Sequence, residues 1–133
     1  MQLQTFDRCW IMVVADDLAT RELLMDVLNI ADFPTIGVAT AHEAAEWLKS
    51  ADPDPTLLVL EDEQNVLDGV RLRDLQQPDP RQRQIHVVVL ASPGENPTQH
   101  RDAIPAQLTV LRKPIDFDRL VAIATQHCVQ KRR

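Results

Sequence analysis

Acids, a lysine and a hydroxyl stand in this sequence at the ends of apolar runs, and that placement is where chemistry could be done. The run 9–14 (CWIMVV) leads into Ala15, Asp16 and Asp17, and 56–60 (TLLVL) leads into Glu61, Asp62 and Glu63. Further on, 86–90 (HVVVL) leads into Ala91 and Ser92, and 107–112 (QLTVLR) into Lys113. Short continuous apolar runs are the pattern of strands buried on both faces of a parallel sheet. In open α/β sheets, ligands and reactions sit beyond the carboxyl ends of the strands. One sheet edge would then gather Asp16, Asp17, Glu61, Ser92 and Lys113. Carboxylates there repel a phosphate unless a cation intervenes. A glutamate facing a lysine has another use: at about 4 Å and an effective dielectric near 20, the pair attracts by roughly 4 kcal/mol before desolvation is subtracted. We favour that pair over a Glu61 that is merely a solvated strand-end acid beside Asp62 and Glu63.

The elements that must position these groups alternate along the chain. A helix opens at Arg21-Glu22-Leu23-Leu24, with Leu23, Leu24, Val27, Leu28 and Ala31 on its inward face, and Asp32-Phe33-Pro34 stops it because the residue before proline is pushed out of helical geometry. A strand is expected over 35–39. Thr40 and Glu43 have capping-box spacing, opening a helix through Lys49. Leu67-Asp68-Gly69 turns the central strand into a helical pattern at Val70, Leu72 and Leu75, followed by a polar connection at 76–84. The segment 96–105 has a cap-then-proline start but few apolar residues, and predicts the weakest helix. Asp116 caps a last helix that turns Phe117, Leu120, Val121, Ile123 and Ala124 inward. Five strands alternating with five helices imply right-handed crossovers and a parallel sheet.

The chain's 133 residues fit one domain, with 1–8 as a loose leader, 9–130 as the folded unit and 131–133 as a solvated basic tail. A net charge of −6 excludes general nucleic-acid binding, which needs clustered Lys and Arg. No apolar run is long enough for a signal peptide or a membrane span. Cys9 and Cys128 have no CxxC spacing and read as free thiols of a reduced cytoplasmic protein. His42, His86, His100 and His127 are scattered and read as core or surface residues, and Trp47 as a packing residue on its helix. None of the three glycines forms a phosphate-cradling loop.

The stretches VVADD-LATRELL, LLVLEDEQNVLDG, VVVLAS and LRKPIDF, in that order over 11–128, resemble the receiver domains of bacterial response regulators. The resemblance implies a flavodoxin-like three-layer sandwich, (βα)5, with a five-stranded parallel sheet in the order 2-1-3-4-5. It also implies a set of positions. The aspartate that accepts a phosphoryl group in that family falls on Glu61. The two Mg²⁺-holding acids fall on Ala15 and Asp16, so one is missing, and Asp17 replaces it only if the loop is rearranged. The hydroxyl that follows the phosphoryl group falls on Ala91, with Ser92 one residue late. The lysine is kept as Lys113, the switch aromatic becomes Val110, and the loop proline becomes Asn65.

These departures remove several parts of one switch. Glutamate's extra methylene displaces the attacking oxygen by about 1 Å, and misplacement of that size costs on the order of 10²-fold. Loss of an acid at Ala15 weakens a site for a hard cation. The resemblance therefore implies a pseudo-receiver: not an enzyme, cytoplasmic, needing no cofactor, with at most a weak Mg²⁺ site on Asp16, Glu61 and Glu63. Its pocket would be Asp16, Asp17, Asp62, Ala91, Ser92 and Lys113 around Glu61. Its partners would be signalling proteins, a histidine kinase or an output protein, with a homodimer as a further expectation and neither nucleic acid nor membrane. Two alternatives stand beside it: an active Mg²⁺-dependent phosphoacceptor using Asp62 or Glu61, and a small-molecule binder on the same scaffold.

Overall fold

The computed structural model describes residues 9–50, 55–62, 85–92 and 108–131. The strands are β1 (Ile11–Val14), β2 (Thr35–Val38), β3 (Leu57–Asp62), β4 (His86–Ala91) and β5 (Leu108–Arg112). The helices are α1 (Leu18–Ile30), α2 (Ala41–Ser50) and α3 (Phe117–Lys131). The strands form one parallel sheet in the order β2-β1-β3-β4-β5, as expected. The leader, the residues 63–84 that include the expected helix at 70–75, the helix expected at 96–105, and Arg132-Arg133 lie outside the described residues. Lys131, expected as the first residue of the tail, closes α3 instead.

Strand periodicity divides the core in two. Ile11, Val13, Leu57, Val59, Val88, Leu90 and Leu111 face Leu24 and Leu28 of α1 and Leu120 and Ala124 of α3. Met12, Val14, Leu58, Leu60, Val87 and Val89 face Ala44 and Leu48 of α2. Both faces of β1, β3 and β4 are covered, which is why these strands read as unbroken apolar runs.

Helix ends follow local chemistry. At the start of α2 the Glu43 amide donates to Thr40 Oγ1 at 3.1 Å, as capping-box spacing predicts, while Glu43 Oε1 accepts from the amide of Ala39, one residue before the cap, at 2.9 Å. Asp116 caps α3, accepting from the Arg119 amide at 3.2 Å. Two expectations for α1 need correction. It starts at Leu18, a turn before Arg21, because Asp17 caps it by accepting from the Thr20 amide at 2.9 Å and the Thr20 hydroxyl at 2.8 Å. The inward stripe is then Leu24 and Leu28, and Leu23 is turned outward, 50% exposed. Nor is Pro34 what ends the helix. Asp32 takes a left-handed φ of 72°, the Phe33 amide donates to the Leu28 carbonyl, and the Asp32 amide donates to that of Asn29. That is a Schellman closure, complete before the proline is reached.

The cysteines also need correction. Cys9 and Cys128 form a disulfide across 119 residues of sequence, with Cα atoms 5.4 Å apart. The reason is topological. Cys9 precedes β1 at the amino edge of the sheet, and α3 runs antiparallel to the strands, so its last turns return to that edge. Spacing along the sequence carries no trace of this.

Candidate functional site

β3 runs two residues further than its apolar run, because Glu61 and Asp62 stay paired with Leu90 and Ala91 of β4. Glu61 thereby continues the alternation of Leu57 and Val59 and faces the α1–α3 side of the sheet. It is 2% exposed. Lys113 is brought to it by the backbone: its amide donates to the Ala91 carbonyl at 2.8 Å, at the end of the β4–β5 ladder. From there the Lys113 Nζ donates to Glu61 Oε2 at 2.7 Å. The other carboxylate oxygen, Oε1, is buried with no hydrogen-bond partner among the described residues. The ion pair expected from sequence is thus present, and the solvated strand-end acid is not.

The remaining positions lie around this pair with different commitments. Ala15 is fully buried at the end of β1, its amide bonded to the Val38 carbonyl at 3.1 Å. Its own carbonyl accepts from the Arg21 guanidinium at 2.8 Å, a contact that sequence reasoning missed. The stem of Arg21 lies over Gly37 of β2, where a Cβ would stand 3.1 Å from Arg21 Cγ and 2.5 Å from Met25 Sδ. Gly37 therefore makes room for the side chain that ties α1 to the tip of β1. Asp16 is exposed. Asp17 is exposed too, and its carboxylate is held below the usual range first by the Thr20 amide and then by the Thr20 hydroxyl. Ala91 is fully buried, Ser92 half-buried and Val110 half-buried. Glu63 and Asn65 lie outside the described residues, as does the side chain of Asp62.

The described residues offer a divalent cation few ligands. An apolar methyl occupies Ala15, Asp17 is turned to its own helix, and one oxygen of Glu61 is taken by Lys113. Among the described residues, no group of three or more His, Cys, Asp or Glu side chains is placed to hold a metal ion.

Two of the histidines that read as scattered meet at the opposite, amino edge of the sheet. The rings of His86 and His127 stack with centroids 4.1 Å apart and planes 21° apart. His86 Nε2 also bonds Thr109 Oγ1 of β5 at 2.7 Å. The signal was present in register: His86 shares the parity of Val88 and Leu90, and His127 lies seven residues beyond Leu120 on the inward stripe of α3.

A five-stranded parallel sheet in this doubly wound order is the fold of response regulator receiver domains, and solved structures bear this out. A sensor protein from Polaromonas sp. JS666 superposes with a TM-score of 0.75 at 22% identity, over 92% of this chain and 98% of that one. A response regulator receiver domain protein from Clostridium thermocellum gives 0.76 at 17% identity, over 93% and 97%. The signal receiver domain of a histidine kinase from Syntrophus aciditrophicus gives 0.76 at 20% identity, over 94% and 93%. No protein-family model matches the chain, and no curated protein matches it.

Proposed function

We propose that this chain is a receiver-type signalling domain of a two-component system that works through protein contacts and does not accept a phosphoryl group at the strand-tip position. The observation that carries this reading is Glu61 itself, buried and engaged by Lys113 at 2.7 Å. In a phosphoaccepting site the lysine would have to meet the incoming phosphoryl group; here it already holds a carboxylate one methylene longer than aspartate. Ala15 and Ala91 supply neither a cation ligand nor a hydroxyl. Phosphoryl transfer rests on positioning and charge neutralisation, and both are compromised together. The Glu61–Lys113 pair instead imitates part of a phosphorylated state and holds the domain in one conformation. Its partners are a histidine kinase or an output protein, and no cofactor is required. A second copy of the chain is a further partner. No helix among the described residues is long and apolar enough to cross a membrane. We assign the domain to the cytoplasm on the strength of the signalling reading, the argument from free cysteines having fallen away.

The test is exposure to a small acyl-phosphate donor with Mg²⁺, followed by intact-mass measurement. We expect no stable adduct on the wild-type chain, and little on Glu61→Asp alone. The triple variant Ala15→Asp, Glu61→Asp, Ala91→Thr should take up a phosphoryl group, by more than the product of the single effects, since residues acting as one unit are non-additive. An adduct on the unmodified protein mapped to Glu61 or Asp62 would replace this reading with an active, Mg²⁺-dependent phosphoacceptor.

A further inference from the structure

The amino edge of the sheet holds a cluster that the signalling site does not use. Cys9, two residues before β1, is bonded to Cys128 in the last turns of α3, and the two are 1% and 9% exposed. The residue beside Cys128 is His127, whose ring lies on that of His86 at the start of β4. His86 in turn is bonded to Thr109 of β5. One short segment of α3 is therefore fastened covalently to the residues that lead into β1 and by ring stacking to β4.

We propose that Cys9 and Cys128 form a thiol–disulfide exchange site whose closed state clamps the last turns of α3 against the sheet, with a low-molecular-weight disulfide as oxidant. The chemistry balances without any further reactant. The Cys128 thiolate, on the less buried of the two residues, attacks the small disulfide, forming a mixed disulfide and releasing one small thiolate. The Cys9 thiolate then attacks the Cys128 sulfur, closing the bridge and releasing the second small thiolate. Two protein thiols are oxidised and one small disulfide is reduced to two thiols. Reduction by excess small thiol is the same path reversed. Disulfides in reducing compartments are mostly transient, serving catalysis or redox sensing, and this bridge has the placement for sensing. It joins two elements far apart in sequence, so its state is felt in the position of α3 and not merely in a local loop. The helix it holds begins four residues after Lys113, at Phe117, so the clamp and the Glu61–Lys113 pair anchor opposite ends of one element.

The full chain is equilibrated in glutathione buffers running from reducing to oxidising, quenched by alkylation under denaturing conditions, and weighed intact. Closure should titrate reversibly across the range. Opening should lower the melting temperature by about 10 °C or more, because the bridge closes a very long loop. It should also move the His127 ring-proton resonances, since the stacked ring of His86 shifts them only while the helix is held. Cys9→Ser and Cys128→Ser should show neither response to glutathione. If a serine variant fails to fold, the wild-type titration alone decides. Both cysteines alkylated at every ratio would overturn the proposal, as would a bridge that stays closed in the most reducing buffer. Closure that leaves melting and the His127 resonances unchanged would also overturn it.

Discussion

Glu61 has one carboxylate oxygen on Lys113 and the other, Oε1, buried without a partner among the described residues. A buried ion pair of this kind is a poor source of net stability, because the desolvation of two charges offsets most of their attraction. Breaking it from one side is different, since it leaves a charge with nothing to compensate it. Lys113→Ala should therefore destabilise the chain by about 3–5 kcal/mol. Replacing both partners, as Glu61→Leu with Lys113→Met, should leave stability within about 1 kcal/mol of wild type. Urea unfolding midpoints read both. A Lys113→Ala variant as stable as wild type would mean that the pair is solvated in solution. Retaining the pair when an apolar one would serve equally well for stability is what a role in conformational choice requires. The pairing itself was legible in sequence, because a glutamate reaches further than an aspartate toward a lysine closing the fifth strand. Its burial was not, because pairing of Glu61 and Asp62 with β4 depends on register, which the apolar run 56–60 does not encode.

Among the elements, the strands were read well and the ends of α1 were not, for a physical reason. Buried parallel strands announce themselves by composition. Helix ends are decided by a few local hydrogen bonds, and those at Asp17 and at Asp32 outweigh the neighbouring pattern. Asp32 holds a φ of 72° at the Schellman closure, a conformation that costs roughly 1–2 kcal/mol for a residue with a Cβ and next to nothing for glycine. Asp32→Gly should raise stability by about 1 kcal/mol, and a β-branched residue there should lower it. Paired melting curves of Asp32→Gly and Asp32→Val, with helix content followed by circular dichroism, would show it. If Asp32→Gly melts below wild type, the closure is not formed as described. The same loss of local information explains the cysteines and histidines. Cys9 with Cys128, and His86 with His127, meet only because α3 returns antiparallel to the edge from which β1 and β4 start. Topology brings them together: spacing shows nothing of the cysteine pair, and for the histidines register gives only the face that each occupies.

At the scale of the molecule, the sheet separates two kinds of chemistry: charges paired at its carboxyl edge, and neutral imidazoles at its amino edge. The second edge makes global stability depend on pH. His86 is lowered from the ordinary 6.5 to about 4, chiefly by burial and further by the neighbouring His127. His127 is lowered by burial as well. Both shifts favour the neutral ring in the folded state, so between pH 6.5 and about 4 the unfolded chain binds more protons than the folded one. Stability is then full above the unfolded pKa and declines as the pH falls through that window, with no further loss from His86 below its folded value. A shift of this size corresponds to about 2 kcal/mol between pH 7 and pH 4.5, at 1.36 kcal/mol per unit. Carboxylates also titrate in that range, so the comparison must be internal. His86→Phe keeps an aromatic ring against His127 and removes the ionisable group. Urea midpoints of wild type and His86→Phe, taken at both pH values, should differ in slope: wild type should lose about 2 kcal/mol more than the variant on acidification. NMR titration of the two imidazoles locates the cause, with His86 charging only well below the ordinary histidine value of 6.5. Equal acid losses in the two proteins would mean that the His86 ring is hydrated in solution, and that the stack at the amino edge is not the closed contact described above.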